Sequence, residues 1–152
     1  MDLAPDFKEL LEELGRAKAN FVVVGGYAVA FHGRPRSTKD IDLVLEGSPE
    51  NLARAASAVA HFGGPEDVVR ALRTLGPHEI AYFGQPPLRI DFLRTIDGVD
   101  VDALFAHAIT ATLDGVSMKV ISLDDLIANK RAVGRPQDLV DAGHLEKVRA
   151  KI

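Results

Sequence analysis

Apolar residues recur along this chain in two rhythms, one near every third or fourth position and one in short unbroken or alternating runs. Phe7, Leu10, Leu11 and Leu14 have helical spacing, with Glu9, Glu12 and Glu13 turned outward. This predicts an amphipathic first helix over residues 6–19 with Gly15 in its last turn. Phe21-Val22-Val23-Val24 is a β-branched run short enough for a buried strand, and Gly25-Gly26 breaks it. Residues 27–31 fit one or two helical turns. Arg34-Pro35-Arg36 reads as a basic turn, and Asp40-Ile41-Asp42-Leu43-Val44-Leu45 as a second strand.

The same two rhythms continue to the end. Gly47-Ser48-Pro49 starts an alanine-rich helix over residues 52–60, and Phe62-Gly63-Gly64-Pro65 stops it. Residues 66–75 form a further helix with Val68, Val69, Leu72 and Leu75 inward. Strands over 78–83 and 88–93 are joined by Gly84-Gln85-Pro86-Pro87, and Asp97-Gly98 makes a turn before a short helix over 102–108. Residues 109–113 and 116–121 form a hairpin across Asp114-Gly115. Ser122 caps the next helix with Asp125 as its capping-box partner, Gly134 ends it, and Arg135-Pro136 opens a last helix over 137–151. No repeat, low-complexity run or linker interrupts the pattern, so residues 1–152 are expected to form one domain.

Candidate chemistry enters through the acids. Strand side chains alternate, so Asp40 and Asp42 point to one side while Ile41 and Leu43 point to the other. Two carboxylates held side by side repel unless a cation lies between them. Mg²⁺ takes one or two carboxylates and leaves its other positions to water and phosphate oxygens. Asp91 is a lone acid among apolar residues, on the strand face opposite Ile90 and Phe92, together with Arg89 and Leu93. A cation site explains it, and so does a partly exposed strand face.

Composition narrows the field. A chain of 152 residues with 47% hydrophobic and 26% charged residues is an ordinary globular sequence. Without cysteine it has neither disulfides nor thiolate chemistry. It has no long apolar run or signal-like segment, so the expectation is a cytoplasmic protein without a membrane partner. The net charge of −4 argues against a DNA-binding domain. Residues 119–151 nevertheless carry seven Lys and Arg against five Asp and Glu. That mild excess suits a phosphate-bearing ligand, or an ordinary solvated helix surface.

Neither Gly25-Gly26 nor Asp40-x-Asp42 is specific alone. Together with His32-Gly33, Arg36, Thr38 and the later Asp91, they resemble the DNA polymerase β-type nucleotidyltransferase superfamily. Within it, the chain is similar to the minimal members related to AbiEii-type toxins. Their pattern is apolar-Gly-Gly-x-Ala-x-x-x-His-Gly-x-x-Arg-x-Thr-x-Asp-apolar-Asp, and residues 24–42 match every stated position. Lys130 followed by Arg135-x-x-Asp138-x-x-Asp141 resembles a second, less specific signature of the same members.

The resemblance implies an α/β fold (α+β in strict schemes), a small mixed sheet flanked by helices. It implies two Mg²⁺ or Mn²⁺ ions on Asp40, Asp42 and Asp91, with Asp91 also the general base toward an acceptor hydroxyl. Gly25 and Gly26 would hold a nucleoside triphosphate through their backbone. Arg36 and Lys130, and more weakly Arg135, would neutralise its phosphates, while Thr38 shapes the loop before Asp40. Lys130 and Arg135 have a second reading, as helix-end ion pairs with Asp138 or Asp141. His32 is read as structural, and the other histidines have no metal-like spacing. The expected activity is Mg²⁺-dependent transfer of a nucleoside monophosphate from an NTP to tRNA, a protein or a small molecule. The chain is also a candidate toxin–antitoxin component with a cognate antitoxin as partner. The rival is a non-catalytic nucleotide-binding or toxin–antitoxin interaction module.

Overall fold

Pro5 opens helix α1 (Pro5–Arg16), where its missing N–H costs nothing, and Phe7, Leu10, Leu11 and Leu14 turn inward as their spacing predicts. The computed structural model describes residues 3–33, 39–85 and 87–152. After α1 come β1 (Phe21–Val24), α2 (Gly25–Phe31), β2 (Asp40–Leu45), α3 (Pro49–Phe62), α4 (Glu66–Arg73), β3 (Ala81–Phe83) and β4 (Arg89–Leu93). Helix α5 (Val101–His107), the hairpin β5 (Ile109–Leu113) and β6 (Val116–Val120), and helices α6 (Leu123–Val133) and α7 (Pro136–Ala150) complete the chain. The strands form one mixed sheet in the order β3-β4-β2-β1-β6-β5. The β2–β4 and β1–β6 pairs are parallel and the other three antiparallel. This is the mixed α/β architecture that the sequence predicts.

Register gives the two faces of the sheet different chemistry. Ile41 lies opposite Ile90 and Leu43 opposite Phe92, so these four share one apolar face. All four are almost wholly buried, and burying each such side chain contributes about 1.5–3 kcal/mol. Phe83 stacks on Phe92 with ring centroids 6.3 Å apart, and Phe62 of α3 lies 6.0 Å from Phe83. On the other face, Asp40 lies opposite Arg89 and Asp42 opposite Asp91. Both faces of β1 are covered, which is why Phe21–Val24 reads as an unbroken apolar run rather than an alternating one.

Buried polar pins fix this register. The Asn51 side chain accepts from the Asn20 N–H at 2.6 Å and donates to the carbonyls of Asn20 at 2.9 Å and Glu46 at 2.7 Å. It therefore ties the residue before β1 to the residue after β2. All its polar atoms are satisfied, so its burial carries no desolvation debt.

Two local readings differ from the structure. Strand β3 begins at Ala81 rather than His78, because the chain before it folds on itself through Gly76 N–H to Glu79 Oε1 (2.5 Å). Ser122 caps α6 by accepting from the Asp125 N–H, but the Asp125 carboxylate turns to His107 Nδ1 at 3.0 Å instead of closing a capping box. Leu139 and Val140 of α7 are half-exposed. Among the described residues no helix is long and apolar enough to cross a membrane.

Candidate active site

The site begins where β1 ends. Antiparallel pairing sets Val24 opposite Asp42, so the next residue, Gly25, comes to rest beside the Asp42 carboxylate. Gly25 has φ +68°, and a Cβ there would stand 2.2 Å from Asp42 Oδ2. Only glycine both adopts that backbone conformation and leaves room for the acid. Helix α2 starts at Gly25, and its first N–H groups have no acceptor within the helix. Its other end is held by His32, whose Nε2 donates to the Ile121 carbonyl at 2.7 Å. His32 is thus a structural tie between α2 and the end of β6, as read from the sequence.

The three aspartates share one face of β2 and β4, but their environments differ. Asp40 is exposed at the strand start, whereas Asp42 is largely covered. Burial, then the hydrogen bond and charge of Asp91, then the charge of Asp40, push the Asp42 carboxyl from 3.8 up to about 7. Lys130 pulls the other way. Asp91 accepts a 2.8 Å bond from Arg89 Nε, and the Arg89 guanidinium lies 4.0 Å over the Tyr82 ring.

Among the described residues, no three acidic, histidine or cysteine side chains stand ready as a metal cage. The donor chemistry nevertheless suits a hard divalent ion. Burial and the neighbouring acids disfavour the charged form of Asp42, and a cation bound against these oxygens would relieve that. Mg²⁺ needs only one or two carboxylates, with water and phosphate supplying the rest.

A cleft of about 510 Å³ opens in front of Asp40 and Asp42. Val24, Gly25 and Gly26 form its floor at the β1–α2 turn, Thr95, Ile96 and Asp97 one flank, and Asn129, Lys130 and Val133 of α6 another. Arg135 and Asp138 close the far side, and the half-exposed Ile80 reaches in from beside β3. Lys130 is 7% exposed, and its ammonium bonds to Asp138 at 3.1 Å and lies 3.5 Å from Asp141. Asp138 also accepts from Arg135 Nε at 2.7 Å, and the Arg135 and Lys130 contacts hold its carboxyl below the usual range against the effect of burial. Asn129 braces the opposite flank by donating to the Asp97 carbonyl at 2.9 Å.

The structure therefore brings Gly25, Gly26, Asp40, Asp42, Lys130 and Arg135 around one cleft. Asp91 stands next to Asp42 in register but is not among the residues lining the cleft, and its carboxylate is paired with Arg89. Lys130 and Arg135 make the ion pairs of their second reading while also facing the cleft. Arg36 and Thr38 lie outside the described residues. Sequence reasoning gave no role to Arg89, Asp97 or Asn129. The alternation that set Arg89 and Asp91 on one strand face was the available signal for Arg89; Asn129 and Asp97 come together only through the tertiary fold.

The chain is similar throughout to a family described as nucleotidyl transferase of unknown function (DUF2204), whose model matches residues 4–151. No curated protein sequence matches it. Among solved structures it is similar to TM1012 of Thermotoga maritima, assigned as a nucleotidyltransferase, with a TM-score of 0.56 at 14% identity over 96% of this chain and 91% of that one. It is also similar to the antibiotic-resistance factor ANT(2'')-Ia, with a TM-score of 0.56 at 16% identity over 95% of this chain and 86% of that one. At these identities the two structures establish the fold that the chain shares with them.

Proposed function

Because the chain belongs to this family of nucleotidyl transferases, we propose that it moves a nucleoside monophosphate from an NTP to a hydroxyl acceptor, releasing pyrophosphate, with Asp40, Asp42 and Asp91 as its reaction centre. The observation that carries this reading is the register. Asp42 is paired with Asp91 on one side and with Val24 on the other, so two acids and the glycine turn meet at one point. Divalent ions bound there would stabilise the attacking and leaving oxygens of an in-line displacement.

Each residue has a definite task. Asp40 and Asp42 would hold the cations, and Asp91 would share that task and accept the proton of the acceptor hydroxyl. As that oxygen bonds to the α-phosphorus, the bond to the β-phosphate breaks and pyrophosphate leaves. The backbone of Gly25 and Gly26 lets the phosphates approach closely. Arg135, exposed but bonded through Nε to Asp138, would offer its guanidinium to a phosphate from the cleft edge, while Lys130 acts from the cleft wall as a fixed charge. Arg36 and Thr38 complete the phosphate side in this reading.

The motif over residues 24–42 supports the AbiEii-toxin-like subtype, acting as a single domain in the cytoplasm, where NTP and Mg²⁺ are supplied. The acceptor classes are tRNA, protein and small molecules, and a toxin role would bring a cognate antitoxin. Incubation with α-labelled NTPs over total RNA, total protein and a small-molecule pool tests the activity and reads the acceptor class together. Mg²⁺-dependent label is expected in one pool. Label that survives undiminished in both Asp40→Asn and Asp42→Asn would sink the assignment.

Gly25 supplies a separate check. Gly25→Ala places a methyl group on the Asp42 carboxylate at a left-handed backbone position. The variant should lose about 1–2 kcal/mol in urea unfolding. It should also transfer nucleotide at least roughly tenfold more slowly, because a small displacement at a reaction centre is costly. Gly15→Ala, with open space around its Cβ and a helical backbone, should lose neither.

A further inference from the structure

Arg89 is pinned where an exposed arginine would ordinarily be free. Its side chain is 48% exposed, yet its guanidinium lies between the Tyr82 ring, 4.0 Å away, and the Asp91 carboxylate, 2.8 Å from Nε. The sheet register sets it there. Arg89 is two residues before Asp91 on the same strand face, Tyr82 lies opposite Asp91 on β3, and Asp40 lies opposite Arg89 on β2. One positive charge therefore lies against the row of three acids, bonded to the acid that the proposed reaction needs free. Three clustered carboxylates repel one another without a compensating charge, and the guanidinium supplies part of it.

Resting on the three-aspartate reading above, we propose that Arg89 is a built-in competitor for the cation site, occupying Asp91 until a divalent ion displaces it, with Tyr82 as the surface that keeps the guanidinium in place. Arg89 is thus a positioning residue that acts through Asp91. It keeps the acid cluster compensated in the ion-free protein and raises the ion concentration at which Asp91 joins Asp40 and Asp42. Binding at Asp91 costs the ion one charge-assisted hydrogen bond.

The test is Mn²⁺ binding to the full chain without nucleotide, read by loss of the free-ion EPR signal. Arg89→Gln should bind Mn²⁺ roughly five- to tenfold more tightly than the unaltered protein, the scale of one partly exposed charged hydrogen bond. Arg89→Met, which keeps the apolar stem over Tyr82, carries the same expectation, and Arg89→Lys, which keeps a charge, should fall between. A merely structural role for Arg89 would leave the affinity unchanged or weaken it, and either result in a folded variant overturns the proposal. Asp42→Asn separates the two levels of inference. If it loses Mn²⁺ while Arg89→Gln is unchanged, only the competitor role falls. If neither the unaltered protein nor the Arg89 variants bind Mn²⁺ more tightly than Asp42→Asn does, the three-aspartate site falls with it.

Discussion

Replacing Asp42 by asparagine is expected to lower nucleotidyl transfer by roughly two to three orders of magnitude, the scale of losing one preorganised charged group at a reaction centre, while raising the melting temperature of the ion-free protein at pH 8. The two effects share a cause. The folded chain holds the Asp42 carboxyl at about 7 against an ordinary 3.8. The folded state therefore binds this proton more tightly than the unfolded state does. As pH rises from about 4 to 7, the unfolded chain releases the proton first, and stability falls through that window and levels off above it. For an isolated, fully buried acid the loss would be on the order of 4 kcal/mol. Partial exposure and solvent screening reduce it to about 1–2 kcal/mol, or about 3–6 °C in a domain of this size. Asparagine resembles the protonated acid and carries no such dependence. Melting curves in EDTA should coincide for the two proteins near pH 4 and separate by pH 8. Mg²⁺ at pH 8 should then stabilise the unaltered protein more than the variant. Coincident curves at pH 8 would show that Asp42 is not held in the strained state that an acid poised for a cation requires.

The parts of this site that are local in the chain were legible in the sequence. Phe21–Val24, the Gly25-Gly26 break and Asp40–Leu45 announce themselves as elements because a short β-branched run, a glycine pair and the Asp-x-Asp alternation that opens β2 are local signals. That both Asp40 and Asp42 face away from the core follows from the same alternation. The remainder depends on pairings between distant segments. Alternation put Arg89 beside Asp91, but only the neighbouring Tyr82 on β3 fixes the guanidinium where it closes on the carboxylate. Asp125 has the spacing of a capping-box partner, and it was drawn away by His107 on a different helix. Ile80 belongs to an apolar stretch that reads as strand, yet the fold ends the sheet at Ala81 and leaves Ile80 in the cleft. Sequence pattern thus specifies faces and breaks, while long-range packing decides which polar groups meet.

The largest loss of stability should follow Lys130→Met. Asp138 and Asp141 lie one helical turn apart on α7, so their carboxylates share a side, and the packing of α6 against α7 brings the Lys130 ammonium to 3.1 Å and 3.5 Å from them. All three side chains are less than a tenth exposed. A buried ion cluster can be neutral overall, but removing one partner leaves the others charged and uncompensated, which costs about 3–5 kcal/mol. Arg135 on Asp138 and Gln137 on Asp141 remain, so the lower end, about 3 kcal/mol in urea unfolding, is expected. Adding Asp141→Asn to Lys130→Met removes one of the stranded charges and should recover about 1 kcal/mol or more, a coupling that two independent surface sites would not show. The same lysine reaches into the chemistry, since its charge opposes the rise of the Asp42 carboxyl. Without it Asp42 should ionise at a higher pH, and the acid limb of the transfer rate should move to higher pH. A variant that unfolds like the original and keeps its pH profile would show that Lys130 neither supports the helix pair nor acts on Asp42.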